Sequence, residues 1–342
     1  MTNDAKRVVY LFGAGATHAE ILLSDFDYPL LMKDISKRVF EEQIEGKKIK
    51  KEFFPHAEAE NLNIEHILSL FEASLNVKKY SDYINKLREL FQKDILVGVR
   101  RKKDYLNPKL TKTLLALHNC EKIEQKEKLS GIVTLNYDSL LDIACSETYG
   151  GINYGIEWVS EFYGKIDNDA PPLLKMHGSF NWKIQYPIVV SEDEKFLNEC
   201  NSYWIPPTTY KRIENYPFNY LWGRAFELLD CDILRVIGCS FDQNDWGLLN
   251  LLFKSQNEQK NAYRIELIDR INFAKEIRER YGFLKKLTSI NDIMDLGISD
   301  TDVIPDDNYY YFWLKKKLES YGEILTDRDI VKLNNLLGEE VL

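Results

Sequence analysis

The stretch Val8-Val9-Tyr10-Leu11-Phe12-Gly13-Ala14-Gly15-Ala16-Thr17 runs five large apolar residues into two glycines and then into a helical pattern. A continuous apolar run is what a strand buried on both faces requires, because neither face meets water. Four more such runs follow, at residues 131–136, 173–177, 233–238 and 264–269, each ending in small or polar residues and separated by helical segments. Buried strands alternating with helices imply right-handed crossovers, and hence an α/β fold built on a doubly wound parallel sheet. In such a sheet the ligand crevice lies outside the carboxyl ends of the strands. The residues just after each run are therefore the candidates for function.

The rest of the chain narrows the class. Its 342 residues fit a single large domain, 1–342, and its net charge of −9 makes the surface as a whole repel a phosphate backbone, so direct nucleic-acid binding is not expected. Cys120, Cys145, Cys200, Cys231 and Cys239 are odd in number and scattered, which reads as free thiols in a cytoplasmic protein. No cysteine pair has C-x2-C spacing, and the histidines His18, His56, His66, His118 and His177 show no zinc-binding spacing, so no metal is expected. The apolar run at residues 8–12 is too short for a signal segment, and no membrane span is expected.

Residues 34–128 carry apolar stripes at helical period, such as Ile64, Ile67, Leu68, Phe71 and Tyr80, Ile84, Leu87, Phe91, Ile95, and nothing strand-like. They read as a helical insertion in the sheet domain. The basic groups Arg100, Arg101, Lys102, Lys103 and Lys315, Lys316, Lys317 read as solvated faces. The C-terminal extension, 305–342, opens near five consecutive aromatics, Tyr309 to Trp313, which one element cannot point into a single core. They mark either a two-sided core position or a homo-oligomer interface.

At the strand ends each residue has two readings. Gly13 and Gly15 either let a phosphate approach the backbone or form a tight strand-to-helix turn. In Thr134-Leu135-Asn136-Tyr137-Asp138, Asn136 and Asp138 either face the crevice or cap and complement the next helix. Lys175-Met176-His177-Gly178-Ser179 places a histidine beside a permissive glycine. Ile237-Gly238-Cys239-Ser240-Phe241-Asp242, with Asp245 beyond, places a glycine and a hydroxyl at a fourth end. Four such ends could converge on one ligand.

Together these four motifs, in this order, resemble the sirtuin family, and specifically the sirtuin-like NAD hydrolases of bacterial antiphage defence, over about residues 8 to 270. The resemblance implies a Rossmann-like fold and NAD as substrate, cleaved to nicotinamide and ADP-ribose so that NAD depletion acts as an antiphage effector. It implies that Asn136 and His177 are catalytic, with Asn136 orienting the nicotinamide ribose and the attacking water. It also implies that Gly13, Ala14, Gly15, Thr17, Asp138, Gly238 and Ser240 bind the dinucleotide. Asp269, at the last strand end, is placed to accept from the adenosine ribose hydroxyls. No paired C-x-x-C zinc ribbon is present, which argues against protein deacylation, and Ser24-Asp25-Phe26-Asp27-Tyr28-Pro29-Leu30 replaces the deacylase cofactor-loop pattern. By the same resemblance the trigger is a separate protein, such as a HerA-type ATPase. The competing readings are a non-catalytic NAD or ADP-ribose sensor and an assembly subunit.

Overall fold

A computed structural model describes residues 5–24, 28–74, 77–101, 104–166, 170–199, 202–208, 211–242, 245–259, 263–270, 273–289 and 308–341. Cys200, Lys102, Lys103, Asp25, Phe26, Asp27 and the start of the C-terminal extension, 305–307, lie outside them. The strands among these residues are β1 (Lys6–Phe12), β2 (Arg100–Arg101), β3 (Asp104–Tyr105), β4 (Glu127–Thr134), β5 (Trp158–Ser160), β6 (Leu173–Lys175), β7 (Gly178–Lys183), β8 (Ile188–Val190), β9 (Ser202–Trp204), β10 (Ile233–Ile237), β11 (Arg264–Ile268) and β12 (Leu287–Ser289). The five apolar runs coincide with β1, β4, β6, β10 and β11. They form one sheet in the order β12-β11-β10-β1-β4-β6. Every pairing in it is parallel.

This is a doubly wound, Rossmann-like sheet. The chain leaves β1 for β4 and β6 on one side and returns to β10, β11 and β12 on the other, so the order reverses between β1 and β10. The helix Ala14–Leu22 packs with Tyr309–Tyr321, and Lys109–His118 with Leu140–Tyr149, while Phe218–Leu228 packs on Trp246–Glu258. The sheet and these helices share one apolar core.

A second core joins the helices Met32–Glu41, Ile44–Phe53, Ile64–Glu72 and Val77–Val99 to Tyr137, Phe180 and Trp204. Within the interval 34–128, then, the helices up to Val99 have their own core, whereas Leu110, Leu114, Leu115 and Leu117 of the next helix pack under the sheet. The interval also contains a two-residue hairpin, β2 with β3, which its helical periodicity gave no reason to expect. Strands this short carry no detectable alternation. The same brevity hid a second sheet, β5-β8-β7-β9, inserted between β6 and β10.

The C-terminal aromatics are absorbed by the chain itself. Tyr310, Phe312 and Trp313 are buried and Tyr309 and Tyr311 half-buried, with Tyr310 meeting Phe12 at 6.1 Å and Trp313 meeting Tyr10 at 6.4 Å between ring centroids. A helix lying on the sheet accommodates such a run by turning three rings inward and two against its neighbours. Lys317 is not on a solvated face: its Nζ is buried 3.0 Å from Glu127. Burial of an ammonium beside Arg235, which also pairs with Glu127, is offset by two carboxylates, Glu127 and the Glu266 that pairs with Arg235. Among the described residues no helix is long and apolar enough to cross a membrane.

Candidate active site

Five neighbouring strands present their carboxyl ends in a row. After β1 the turn enters the helix Ala14–Leu22 with Gly13 as its N-cap. The amide of Gly13 donates to Ile237 (3.0 Å) and that of Gly15 to Gly238 (2.9 Å), which seams this turn to the one after β10. A Cβ on Gly15 would stand 2.7 Å from the Gly238 Cα, and one on Gly238, whose φ is +59°, would stand 2.3 Å from the Ala16 nitrogen. These glycines thus permit two backbones to touch at the point where strand order reverses. Gly238→Ala should destabilise the fold by about 1–2 kcal/mol from the left-handed backbone alone, and by more once the clash is included. Urea unfolding measures this directly, and an unchanged midpoint would contradict the tight apposition.

Thr17, Asn136, Asp138 and His177 line the floor, at 7, 8, 6 and 3% exposure. They are joined by hydrogen bonds of defined direction. Asn136 Nδ2 donates to the Gly13 carbonyl (2.9 Å) and to Thr17 Oγ1 (3.0 Å), and Thr17 passes its own hydrogen to Asp138 Oδ2 (2.8 Å). Because a carbonyl only accepts, the Gly13 contact fixes which way the Asn136 amide faces. Asp138 Oδ1 accepts the Leu140 amide (3.0 Å), opening the helix Leu140–Tyr149, so both its oxygens have partners within the protein. Burial raises its carboxyl above the usual range, while Lys175 and these donors pull it back.

His177 stands where the main sheet hands over to the second one. Gly178 follows it with φ +75°, and a Cβ there would lie 2.4 Å from the Tyr203 carbonyl, so the turn after β6 requires glycine. The Tyr137 ring stacks on the imidazole at 6.0 Å. The ring also hydrogen-bonds the main chain of Leu135, whereas Nε2 is buried with no hydrogen-bond partner among the described residues. Burial and then the Lys211 charge push the imidazole from 6.5 down to about 4, against the opposing pull of Asp245 and the Leu135 carbonyl. It is therefore neutral at pH 7, with its proton on the nitrogen facing Leu135 and a free lone pair on Nε2.

Ala14 and Ser240 are exposed at the lip, and Asp269 is half-buried at the end of β11, where its Oδ1 accepts the Arg270 amide (2.7 Å). No contact draws these three into the hydrogen-bonded group. Cys239 is buried and its thiol raised to about 12 by that burial, so it is inert. A cavity of about 370 Å³ lies between the helix Val77–Val99 and the segment beyond β9, lined by Arg88, Trp204, Ile205 and Arg212. It adjoins His177 through Ile205, whose amide donates to the His177 carbonyl (2.8 Å).

Two charge groupings escaped the sequence reading, although Lys175 and Asp245 stand in the stretches it quoted. Lys175, fully buried, donates to the Asp138 carbonyl (2.6 Å) and to Asp142 Oδ2 (2.6 Å), and Tyr154 donates to the other Asp142 oxygen. The signal was a lysine inside the apolar run Leu173-Leu174-Lys175-Met176, which a buried strand carries only with a counter-charge waiting. The other group is Lys211 with Asp245 (2.7 Å) and Glu65 (3.5 Å), beside His177. Its members are too far apart in sequence for any spacing to connect them.

Residues 130–285 match the family model of the SIR2-like domain. This SIR2-like segment contains Asn136, Asp138, His177, Gly238, Ser240 and Asp269, whereas the turn from Gly13 to Thr17 precedes it. The match suggests NAD-related activity. No curated protein matches the chain. Among solved structures it is similar to one described as "Sir2-p53 peptide-NAD+", with 16% identity over 82% of this chain and 95% of that chain and a TM-score of 0.34. Tyr28 donates to Asp94 (3.0 Å) and lies under the Arg38 guanidinium, contacts that tie it to the helical module.

Proposed function

We propose that the chain is an NAD hydrolase that cleaves the bond between nicotinamide and its ribose, giving nicotinamide and ADP-ribose. The observation that carries this is a buried histidine at a strand end, within the segment that matches the SIR2-like domain, whose Nε2 has no hydrogen-bond partner among the described residues. Nicotinamide leaves a cationic N-glycoside as a neutral molecule and needs no general acid. The demands on the protein are a base, a placed water and support for an oxocarbenium-like sugar. His177 supplies the base. Asn136, its amide hydrogens committed to Gly13 and Thr17, offers Oδ1 to accept a ribose hydroxyl. Gly13, Ala14, Gly15, Thr17, Gly238 and Ser240 would flank the pyrophosphate, with Asp138 bracing Thr17 and Asp269 facing the adenosine ribose.

The resemblance to antiphage NAD hydrolases supports a role as an effector that depletes NAD. It also favours a cytoplasmic setting, assembly with further copies, and triggering by a separate protein such as a HerA-type ATPase. The deciding experiment is chromatography of NAD incubated with the purified chain, beside Asn136→Ala. Nicotinamide release by the wild type, and its loss in a variant whose unfolding transition is retained, is the expected result. Full release by Asn136→Ala would remove that residue from the mechanism, and a wild type that releases none, alone or with its triggering protein, would sink the reading.

A further inference from the structure

Hydrolysis requires a water held against C1′ of the nicotinamide ribose, and Asn136, expected to orient it, has no amide hydrogen left to share. Another group stands beside the base. Asp245 Oδ1 lies 4.0 Å from His177 Nε2, with the Lys211 ammonium 2.7 Å from that same oxygen. Two acceptors so spaced subtend roughly 90° at an oxygen about 2.8 Å from each, close to the angle between the two O–H bonds of water. A water can donate to both. A ribose hydroxyl has one hydrogen and can satisfy only one.

We propose that Asp245 and His177 together hold the hydrolytic water, which makes Asp245 a catalytic residue; the assignment rests on the NAD-hydrolase reading above. In the step, the C1′–N bond breaks ahead of attack, nicotinamide leaving with that electron pair, and the water oxygen then forms its bond to C1′ of the cationic sugar. One water proton passes to Nε2, and the imidazolium later releases it to solvent. The second hydrogen stays on the new anomeric hydroxyl, facing Asp245. The carboxylate also faces the imidazolium and the cationic sugar as both develop, where a fixed negative charge in a site screened from water counts most. Before the substrate arrives Lys211 offsets that charge, so the base stays neutral. Among the described residues the charged groups facing His177 are Lys211 and Asp245, and the Tyr137 and Trp222 rings pack against its imidazole. Glu65 lies behind Lys211, its carboxyl raised to about 7 by burial and by Asp245 and Asp242, against the pull of Lys211.

The test is Asp245→Asn in the whole chain, a change that keeps the side-chain shape. NAD hydrolysis should fall about 100-fold or more, while NAD affinity by calorimetry stays within about twofold. Isotope-labelled nicotinamide should still exchange into NAD, because exchange breaks and reforms the glycosidic bond without water. A merely structural role would lower hydrolysis, exchange and affinity together, and that result, or unchanged hydrolysis, overturns the proposal. Where the wild type itself shows no exchange, the split between affinity and hydrolysis decides. A wild type that releases no nicotinamide, alone or with its triggering protein, overturns the hydrolase reading and this assignment with it, whereas an active wild type with an unaffected Asp245→Asn overturns this assignment alone.

Discussion

Nicotinamide release is expected to fall by about 10²- to 10⁴-fold in His177→Ala, the range that a positioned general base contributes. His177→Gln should fall as far, although its amide can still donate to the Leu135 carbonyl and fill the space beneath the Tyr137 ring. The pair therefore separates loss of the base from loss of packing. The pH dependence supplies an independent readout. The base must be neutral to act, and its folded value of about 4 places the acid limb of kcat/KM near pH 4, with no loss from this group between pH 5 and 8. The same shift weakens the fold in acid. The unfolded chain takes up this proton near 6.5 and the folded one only near 4, so stability falls as pH drops through that window. His118, held at about 3 chiefly by burial, acts in the same direction. Removing His177 should thus flatten the acid side of the stability profile while abolishing turnover. An acid limb near the ordinary histidine value in the wild type would contradict the buried, neutral base.

Five of the six strands of the main sheet were legible because each is a short, mostly apolar run between helical patterns, whereas β12 at the edge is only three residues long; the row of polar residues at the ends of the five followed from the parallel topology. The second sheet was not legible, since β5, β8 and β9 are three residues each and alternate too briefly to register. At the site, the types and order of Asn136 and His177 could be read, but not the hydrogen-bond directions. That the Asn136 amide turns its hydrogens toward Gly13 and Thr17 depends on how closely β1 and β4 approach. The group of Lys211, Asp245 and Glu65 depends on the packing of the helix Ile64–Glu72 against residues beyond β9. Both are long-range facts carried by the fold rather than by any local pattern.

Lys175→Met should destabilise the protein by about 3–5 kcal/mol, the cost of leaving one member of a buried ion pair without its partner. Lys175 and Asp142 are both fully buried, their charged atoms 2.6 Å apart, and no water reaches Asp142 to replace the ammonium. Methionine nearly matches the aliphatic volume, so packing loss contributes little. Asp142→Asn removes the stranded charge while keeping an oxygen for the Tyr154 hydroxyl, and the double variant should recover most of the loss. The coupling in such a cycle, read from urea unfolding of the four proteins, is what two contacting buried charges produce and two independent sites do not. The consequence reaches the site without any contact with substrate. Lys175 also holds the Asp138 carbonyl, and Asp138 in turn receives the Thr17 hydroxyl that accepts from Asn136. The double variant should therefore fold yet release nicotinamide more slowly than the wild type, because Asn136 Oδ1 is no longer fixed to the tolerance that attack geometry demands. Additive effects on stability would mean that the two charges act independently, and full activity in the double variant would mean that the ion pair supports the sheet but not the site.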